Sequence, residues 1–354
     1  MRKCFMYIVF AATLSGILLS LISCDRQIVP DVGTSDIQLS IELSGNLGVE
    51  ETPWTKADGD YVDASKYEGV RTLRIIVTSG APESRKILYN NKVTGLENIS
   101  TYTTTIENLP HETLTFYAIA NEESLSMTYD NNTITDNLAD NHKLLFRDDA
   151  DPKHFPARGP DIVDNGLPMS GYTAVTLTGD KSVTIDLYRS VVKLALVVEN
   201  ATKSDVTLRK VSFGEFFGDR YYMFRDLTLD VPDGIQYSDM IYDNLDIVIP
   251  GVADDGSSDS FTDTLTAYFY PTQPQFDGNN NSPFTIGFET GSPDSPYVYE
   301  PQVFAPNTAS FVRNTQVNLH ARITTTVGIE LSFEVAPWTV TPWEEYNQDV
   351  PSFD

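Results

Sequence analysis

An all-β fold, built as two antiparallel β-sandwiches in tandem, is predicted by three features of the sequence. Short runs rich in Val, Ile, Thr, Tyr and Phe recur along the chain and are bounded by Gly, Pro, Asn and Asp, as half-buried strands are. Apolar and polar residues alternate in several of these runs, whereas helical periodicity is weak. The chain has 354 residues, and a chain of this length is expected to divide into two domains.

The predicted strands are spread over the whole chain. The first has the clearest alternation, because polar residues separate Ile37, Leu39, Ile41 and Leu43, which are therefore expected on one face. Further strands are expected at residues 72–78, 102–106, 114–119, 183–187, 191–198, 245–249, 265–270, 284–288 and 317–323. The segment 125–145 is the best candidate for a short helix or a long loop.

A change of domain is predicted near Gly179-Asp180. It follows a stretch, 147–166, that is rich in Asp, Pro and Gly and typical of a loop. The run 183–198 then supplies two strands without a strong turn signal, which a long strand that bends or passes between domains would explain. The assigned regions are 24–56 (first strand and loop), 57–179 (N-terminal sandwich), 180–328 (C-terminal sandwich) and 329–354 (tail).

Residues 1–23 have the organisation of an export signal. Arg2 and Lys3 precede an apolar run, 5–19, and small residues lead to Cys24. The run is too short for a convincing membrane span. Its end resembles a bacterial lipobox, in which the cysteine is acylated, with palmitate or a similar chain, and becomes the new N-terminus. We therefore expect a lipoprotein anchored in the outer membrane through Cys24; an ordinary signal peptide with an incidental cysteine is the alternative.

Cysteine content and charge exclude several functions. Cys4 lies in the predicted signal, so the mature chain would keep Cys24 alone and form no internal disulfide, thiolate metal site or cysteine nucleophile. Loss of residues 1–23 removes two basic residues and no acidic one, which changes the formal charge from −26 to −28. So acidic a surface repels nucleic acid, and no nucleic-acid partner is expected.

No catalytic or cofactor-binding motif is found in the sequence. The histidines His111, His142, His154 and His320 lack metal-ligand spacing and are expected to face solvent or lie in loops. The acidic segments 254–259 and 277–281 offer oxygen ligands but match no calcium-binding loop, so they are interpreted as solvated turns, with weak calcium binding as the alternative. We expect a protein that is not an enzyme and has no cofactor.

Several short segments resemble those of fimbrillins, the type V pilin family of Bacteroidales surface fimbriae. They are the lipobox, 70–77, 116–121, 167–171, 183–196 with Arg189, 269–272, 313–315 and a tryptophan-bearing tail. The resemblance covers most of the chain and depends on the order and spacing of these segments together.

The resemblance implies a fold, a mechanism and partners. Fimbrillins have two transthyretin-like β-sandwich domains and are exported as lipidated precursors. An Arg- or Lys-specific protease removes the first strand of their stalk subunits, and a C-terminal extension of the neighbouring subunit fills the vacated groove, which is donor-strand exchange. The implied partners are other fimbrial subunits, in a homopolymer or a mixed fimbria, the maturation protease, and a host surface or bacterial partner.

The maturation cut is expected between Lys56 and Ala57. Residues 45–69 form a predicted exposed loop with two basic residues, Lys56 and Lys66. Many family stalk subunits carry arginine at the cut, so the lysine also fits an anchor subunit that is never cut and retains its first strand.

The tail is the predicted donor. Its residues Ile329, Leu331, Phe333 and Val335 alternate with polar residues as the first strand does, and the alternative is that both segments are strands of their own domains. Pro337 and Pro342 exclude a central strand beyond this point. The following aromatic residues, Trp338 and Trp343, would plug pockets on a neighbour or cover the end of their own sandwich.

The sequence therefore predicts a structural subunit of a surface fimbria that supports adhesion. The tail, and the lack of an obvious extra binding domain, favour a stalk or anchor subunit over a tip subunit. A surface glycan-binding lipoprotein, with tyrosines stacked on sugar rings, is the alternative from another functional class.

Overall fold

The computed structural model describes the strands of both predicted sandwiches and their shorter connections. The described residues are 33–43, 69–81, 85–96, 99, 101–124, 165–218, 221–224, 237–253, 260–262, 265–272, 275–277, 280–282, 284–305, 311–325 and 328–337. Predictions that fall outside them concern residues 1–32, including Cys24, the loop with Lys56, Ala57 and Lys66, the segment 125–145, His142, His154, the acidic segment 254–259, Trp338 and Trp343.

The described part of the chain is almost entirely β-structure, which confirms the predicted fold class. Its strands are β1 (Thr34–Leu43), β2 (Leu73–Ser79), β3 (Lys86–Val93), β4 (Thr101–Pro110), β5 (Thr113–Ala120), β6 (Met169–Thr176), β7 (Lys181–Arg189), β8 (Val192–Asn200), β9 (Val206–Gly218), β10 (Tyr237–Tyr242), β11 (Ile247–Ile249), β12 (Leu265–Phe269), β13 (Gln275–Asp277), β14 (Asn280–Ser282), β15 (Phe284–Ser292), β16 (Ser295–Val298), β17 (Gln302–Ala305), β18 (Thr315–Thr325) and β19 (Gly328–Pro337). One turn of 3₁₀ helix, Glu122–Ser124, follows β5.

The first sandwich consists of β1 to β7 in the order β3-β2-β5-β6-β7-β1-β4. Its core contains inward residues of β1, β2, β5 and β7, so the sheet folds over a single apolar interior. The sheet bends between β6 and β7, which pair only through Met169 with Arg189 and Ser170 with Tyr188.

The second sandwich has two separate sheets around its own core. One sheet has the order β10-β9-β15-β16, with β11 paired to β9 and β17 paired to β15, and the other has the order β12-β8-β18-β19. The predicted turn at 277–281 lies in a small hairpin of β13 and β14, in which Asp277 pairs with Asn280.

The two sandwiches repeat one topology. In each, the first strand runs parallel to the last, β1 with β7 and β8 with β18. The same first strand pairs antiparallel with a middle strand, β4 or β12. The second strand pairs with the two strands of its own layer, β2 with β3 and β5, and β9 with β10 and β15. Strand β19 is an addition to this plan, since it extends the second sandwich beyond its last strand.

The change between the two cores lies later than the predicted boundary at Gly179-Asp180. Strand β7 follows that boundary, yet Val183, Ile185 and Leu187 belong to the first core. Val191 is still part of the first core, whereas Val192 begins the second. The run 183–198 is therefore two strands, one in each sandwich, because the chain crosses between cores at residues 190–191.

Asn121, the last residue of the fimbrillin-like segment 116–121, has a structural role at the ends of three strands. Its φ is 55°, a conformation that asparagine tolerates better than most residues. Its side-chain oxygen accepts a hydrogen bond from the backbone N–H of Arg71 at 2.9 Å, and its side-chain nitrogen donates to the carbonyl oxygens of Gly69 at 3.0 Å and Leu167 at 2.7 Å. The buried amide thus joins the ends of β2, β5 and β6.

Candidate functional site

Strand β1 fills a slot between β4 and β7, and it is hydrogen-bonded along both edges. It runs antiparallel to β4, with Ile37 opposite Ile106 and Glu42 opposite Thr101. It runs parallel to β7, from Ile37 opposite Lys181 onward. We call this gap, walled by β4 and β7, the β1 slot. A segment from the extreme N-terminal part of the described chain thus occupies an interior position in the sheet, next to its edge strand β4.

The predicted apolar face of β1 is buried in the first core. Ile37 and Leu39 are 0% exposed and Ile41 is 2% exposed, while Leu43 packs at the margin of the core. The residues of β4 and β7 that form the inner wall are also buried, namely Ile106, Leu109, Val183, Ile185 and Leu187. Without β1, these apolar side chains and two strand edges would face solvent.

Polar contacts fix the start of β1. The buried Ser35 hydroxyl lies 2.6 Å from Nε2 of His111. The backbone N–H of Asp36 donates to the carboxylate of Asp180 at 2.9 Å, and the carboxylate of Asp36 accepts from the N–H of Asn108 at 3.1 Å. His111 lies in the short turn between β4 and β5, as expected for a loop residue, and it is also a contact residue of the slot because it meets Ser35 at the start of β1.

A small pocket, partly open to solvent, lies at the far end of β1. It adjoins the apolar residues at the end of the strand, and its lining residues are Ile41, Leu43, Val70, Leu73, Ile99, Thr101, Tyr102 and Leu187. The slot thus has a small void beside Ile41 and Leu43 at this end, whereas Ile37 and Leu39 are fully buried.

The described part of the predicted donor is β19, which pairs with β18 on one side only. Ile329 and Leu331 are partly buried against the second core. Phe333 is 36% exposed and Val335 is 41% exposed. The burial of the apolar face therefore decreases toward the C-terminus, so β19 is a strand of its own domain that leaves part of that face open.

A charged cluster lies beside β19 on the outer face of β8 and β18. The Glu199 carboxylate is 3.1 Å from Nε2 of His320, and it accepts a hydrogen bond from Nε of Arg322 at 3.2 Å. The hydrogen bond from His320, with that from Arg322, holds the pKa of Glu199 below its usual value in spite of burial. His320 lies in a strand and not in a loop, and its partly exposed ring contacts a carboxylate.

The described residues show neither a metal centre nor a membrane span. They contain no group of three or more His, Cys, Asp or Glu side chains placed to hold a metal ion. Nor do they include a helix with the length and apolar character that crossing a membrane requires.

Strands β1 and β19 could be predicted from the sequence, but the slot could not. The alternation of their apolar residues does not show what surrounds them. The walls belong to β4 and β7, which were predicted as β-rich runs at 102–106 and 183–187. Their contact with β1 depends on pairing between residues 59 or more positions apart, as for Glu42 and Thr101, and the local sequence has no signal for such pairing.

Comparisons with known proteins give a likeness in structure alone. No protein-family model matches the chain, and no curated protein matches it. Among solved structures, a candidate cell adhesion protein from Parabacteroides distasonis is similar with a TM-score of 0.52 at 12% identity, over 87% of this chain and 99% of that one. The tip fimbrial protein Mfa3 from Porphyromonas gingivalis, truncated at its C-terminus, is similar with a TM-score of 0.51 at 14% identity, over 86% of this chain and 100% of that one.

These identities are low, so the likeness concerns the fold, and it extends over nearly the whole length of both relatives. It agrees with the resemblance to fimbrillins in the sequence. The chain has the fold of Bacteroidales fimbrial and cell adhesion proteins.

Proposed function

We propose that this protein is a structural subunit of a surface fimbria, exported as a lipoprotein precursor and polymerised by donor-strand exchange. In this proposal β1 is a temporary occupant of the β1 slot, and β19 with the residues after it is the donor. The observation that carries the proposal is the position of β1, an N-terminal strand that is hydrogen-bonded along both edges, between β4 and β7 of the first sandwich.

Removal of β1 would create a strong drive for replacement. Full burial of each large aliphatic side chain contributes about 1.5–3 kcal/mol, and Ile37, Leu39 and Ile41 are all buried in the slot. Their loss would expose the inner wall and leave the facing edges of β4 and β7 without hydrogen-bond partners. An incoming strand with alternating apolar residues restores both kinds of interaction.

Strand β19 has the properties of such an incoming strand. In its present position it has one neighbouring strand and two half-exposed apolar residues, Phe333 and Val335. In the slot it would have two neighbouring strands and a buried apolar face. The change adds backbone hydrogen bonds and apolar burial, which offset the loss of its pairing with β18.

Maturation would occur in the chain between β1 and β2. Residues 44–72 connect these strands and contain Lys56 and Lys66. A cut between Lys56 and Ala57 separates β1 from the rest of the chain and leaves both β1 and β2 intact. An uncut molecule retains β1 together with the lipid on Cys24 and would serve as the anchor of the same fimbria in the outer membrane.

Limited proteolysis of the full-length precursor tests the proposal. A protease specific for Arg and Lys should cut between Lys56 and Ala57, and oligomer ladders should follow on unheated SDS gels. Lys56→Ala should block both results, whereas Lys66→Ala, the matched control, should not.

A second pair of variants tests the donor strand. Phe333→Asp places a charge on the apolar face of β19, and Ser332→Asp places the same charge on the opposite face. The Phe333→Asp variant should be cut by the protease but should not assemble, whereas the Ser332→Asp variant should be cut and should assemble. A cut protein that remains monomeric, or equal assembly of the two variants, would refute polymerisation through β19.

A further inference from the structure

We propose that β19 enters the β1 slot of a second copy of this chain in the residue-for-residue register of β1, with Ile329 at the position of Ile37. The inference rests on the proposed function and specifies the partner, the register and the direction of the donor strand.

The two strands match in sequence as well as in alternation. Residues 37–43 read Ile-Gln-Leu-Ser-Ile-Glu-Leu, and residues 329–335 read Ile-Glu-Leu-Ser-Phe-Glu-Val. Four of the seven positions are identical without a gap, and they pair Ile37 with Ile329, Leu39 with Leu331, Ser40 with Ser332 and Glu42 with Glu334.

The match at the polar positions is the informative part. Apolar alternation is common to all half-buried strands, so Ile and Leu at equivalent positions are weak evidence. Burial does not require serine and then glutamate at the outward positions of both strands. Since the slot already accommodates the pattern of β1, a strand of nearly the same sequence from another copy meets the same steric and polar requirements.

The match also fixes direction. Strand β1 runs parallel to β7 and antiparallel to β4, so a donor that follows it residue for residue runs the same way. Glu330 then lies at the position of Gln38, opposite Thr105 of β4, and Glu334 lies at the position of Glu42, opposite Thr101. A reversed donor would bring Glu330 close to Thr101.

The differences between the strands fit the shape of the slot. Phe333 replaces Ile41, and Val335 replaces Leu43, in the part of the slot that borders the small pocket. A phenyl ring at the position of Ile41 extends toward Val70 and Tyr102, which line that pocket. Because filling a void adds dispersion contacts, the phenyl ring would gain contacts at this end of the slot that Ile41 does not make.

Disulfide trapping between two singly substituted chains tests the register. The full chain with Glu330→Cys is mixed with the full chain carrying Thr105→Cys, and both are cut and allowed to assemble in air. All three tested positions, Glu330, Thr105 and Thr101, are exposed, so the substitutions leave the cores intact. Cysteine pairs bridge only when their α-carbons are about 4.4–6.8 Å apart.

A covalent dimer is expected for Glu330→Cys with Thr105→Cys and not for Glu330→Cys with Thr101→Cys. Mass spectrometry of the linked peptides separates this bridge from any formed by Cys4 or Cys24. Trapping with Thr101→Cys alone would overturn the direction, and assembly without trapping in either mixture would overturn the register. If the cut chains do not assemble at all, the proposed function itself fails.

Two donor variants provide an independent measurement. Phe333→Ala should slow assembly more than Phe333→Ile, which reproduces the residue of β1. Equal assembly rates for the wild-type chain and Phe333→Ala would overturn the role of the pocket, whatever the result of the trapping experiment.

Discussion

The guanidinium of Arg313 lies 2.6 Å from the main-chain carbonyl oxygen of Ser170, and this contact joins the two sandwiches. Arg313 lies in the turn just before β18, separated from it by Asn314, whereas Ser170 is in β6. The same side chain donates to the Ser170 hydroxyl at 3.0 Å, to the carbonyl oxygen of Tyr188 at 3.2 Å and to that of Met223. Burial lowers the pKa of Arg313 to about 10, so the side chain stays charged at neutral pH.

Replacement of Arg313 is expected to destabilise the protein. Arg313→Met removes the hydrogen bonds that the guanidinium donates to the carbonyl oxygens of Ser170, Tyr188 and Met223, and each such loss costs about 1–3 kcal/mol. Arg313→Lys should rescue only part of the stability, because an ammonium cannot reproduce the planar fork of donors. Urea unfolding at pH 7 measures the effect.

Arg322→Met is the matched control for this experiment. Arg322 is 48% exposed and forms ion pairs with Glu199 and Glu330, so its replacement should cost at most about 1 kcal/mol. Equal losses for Arg313→Met and Arg322→Met would contradict the role of Arg313 at the junction.

Gly171, inside β6, and Gly179, in the turn between β6 and β7, should respond differently to alanine. A methyl group on Gly171 would collide with the carbonyl oxygen of Asp186, whereas Gly179 has open space around it. Gly171→Ala should therefore lower the free energy of unfolding by about 1–3 kcal/mol. Gly179→Ala should have little effect, and calorimetric melting of the two variants compares them directly.

Leu39→Ala should weaken the binding of β1 in the β1 slot. Leu39 is fully buried, and a buried Leu→Ala change costs about 2–5 kcal/mol. Ser40→Ala, on the opposite face of the same strand, is the control and should be nearly neutral. In the cut protein, Leu39→Ala should release the N-terminal fragment faster, which gel filtration at successive times would detect. Equal release from both variants would show that apolar burial does not retain β1.

Strands with strong β-propensity could be predicted from the sequence, because their signal is local. The runs at 72–78, 114–119, 284–288 and 317–323 all lie within β2, β5, β15 and β18 or within one residue of them. Strand β3 was missed, since Asn90, Asn91 and Lys92 interrupt its apolar pattern. That strand is stabilised by pairing with β2 at the edge of the sheet, which is a tertiary effect.

The candidate site could be predicted only in part, for a related reason. Alternation identified β1 and β19 as strands with one apolar face each. The parallel pairing of β1 with β7 and the buried Arg313 connect residues that are distant in the sequence. Strands β7 and β8 form one β-rich run in the sequence, and only the packing of their side chains assigns them to different cores.

Acid should weaken the second sandwich through Glu199. Hydrogen bonds from His320 and Arg322 lower the pKa of its carboxyl group in the folded state below the ordinary value of 4.5. Folding therefore favours the ionised form, so this contribution is fully present above about pH 5 and is lost as the pH falls through the lowered pKa. Glu199→Gln removes the group that titrates, and the stability of this variant should decrease less between pH 7 and about pH 3 than that of the wild-type protein.

Urea midpoints at the two pH values measure the difference, and Glu330→Gln is the control. Glu330 is 67% exposed and lies 3.5 Å from Arg322, so its replacement should leave the acid sensitivity nearly unchanged. An equal decrease of the urea midpoint between the two pH values for Glu199→Gln and the wild-type protein would contradict the role of Glu199 in acid sensitivity. Because Glu199 contacts β18, the strand that pairs with β19, its protonation should also loosen the edge from which the donor strand departs.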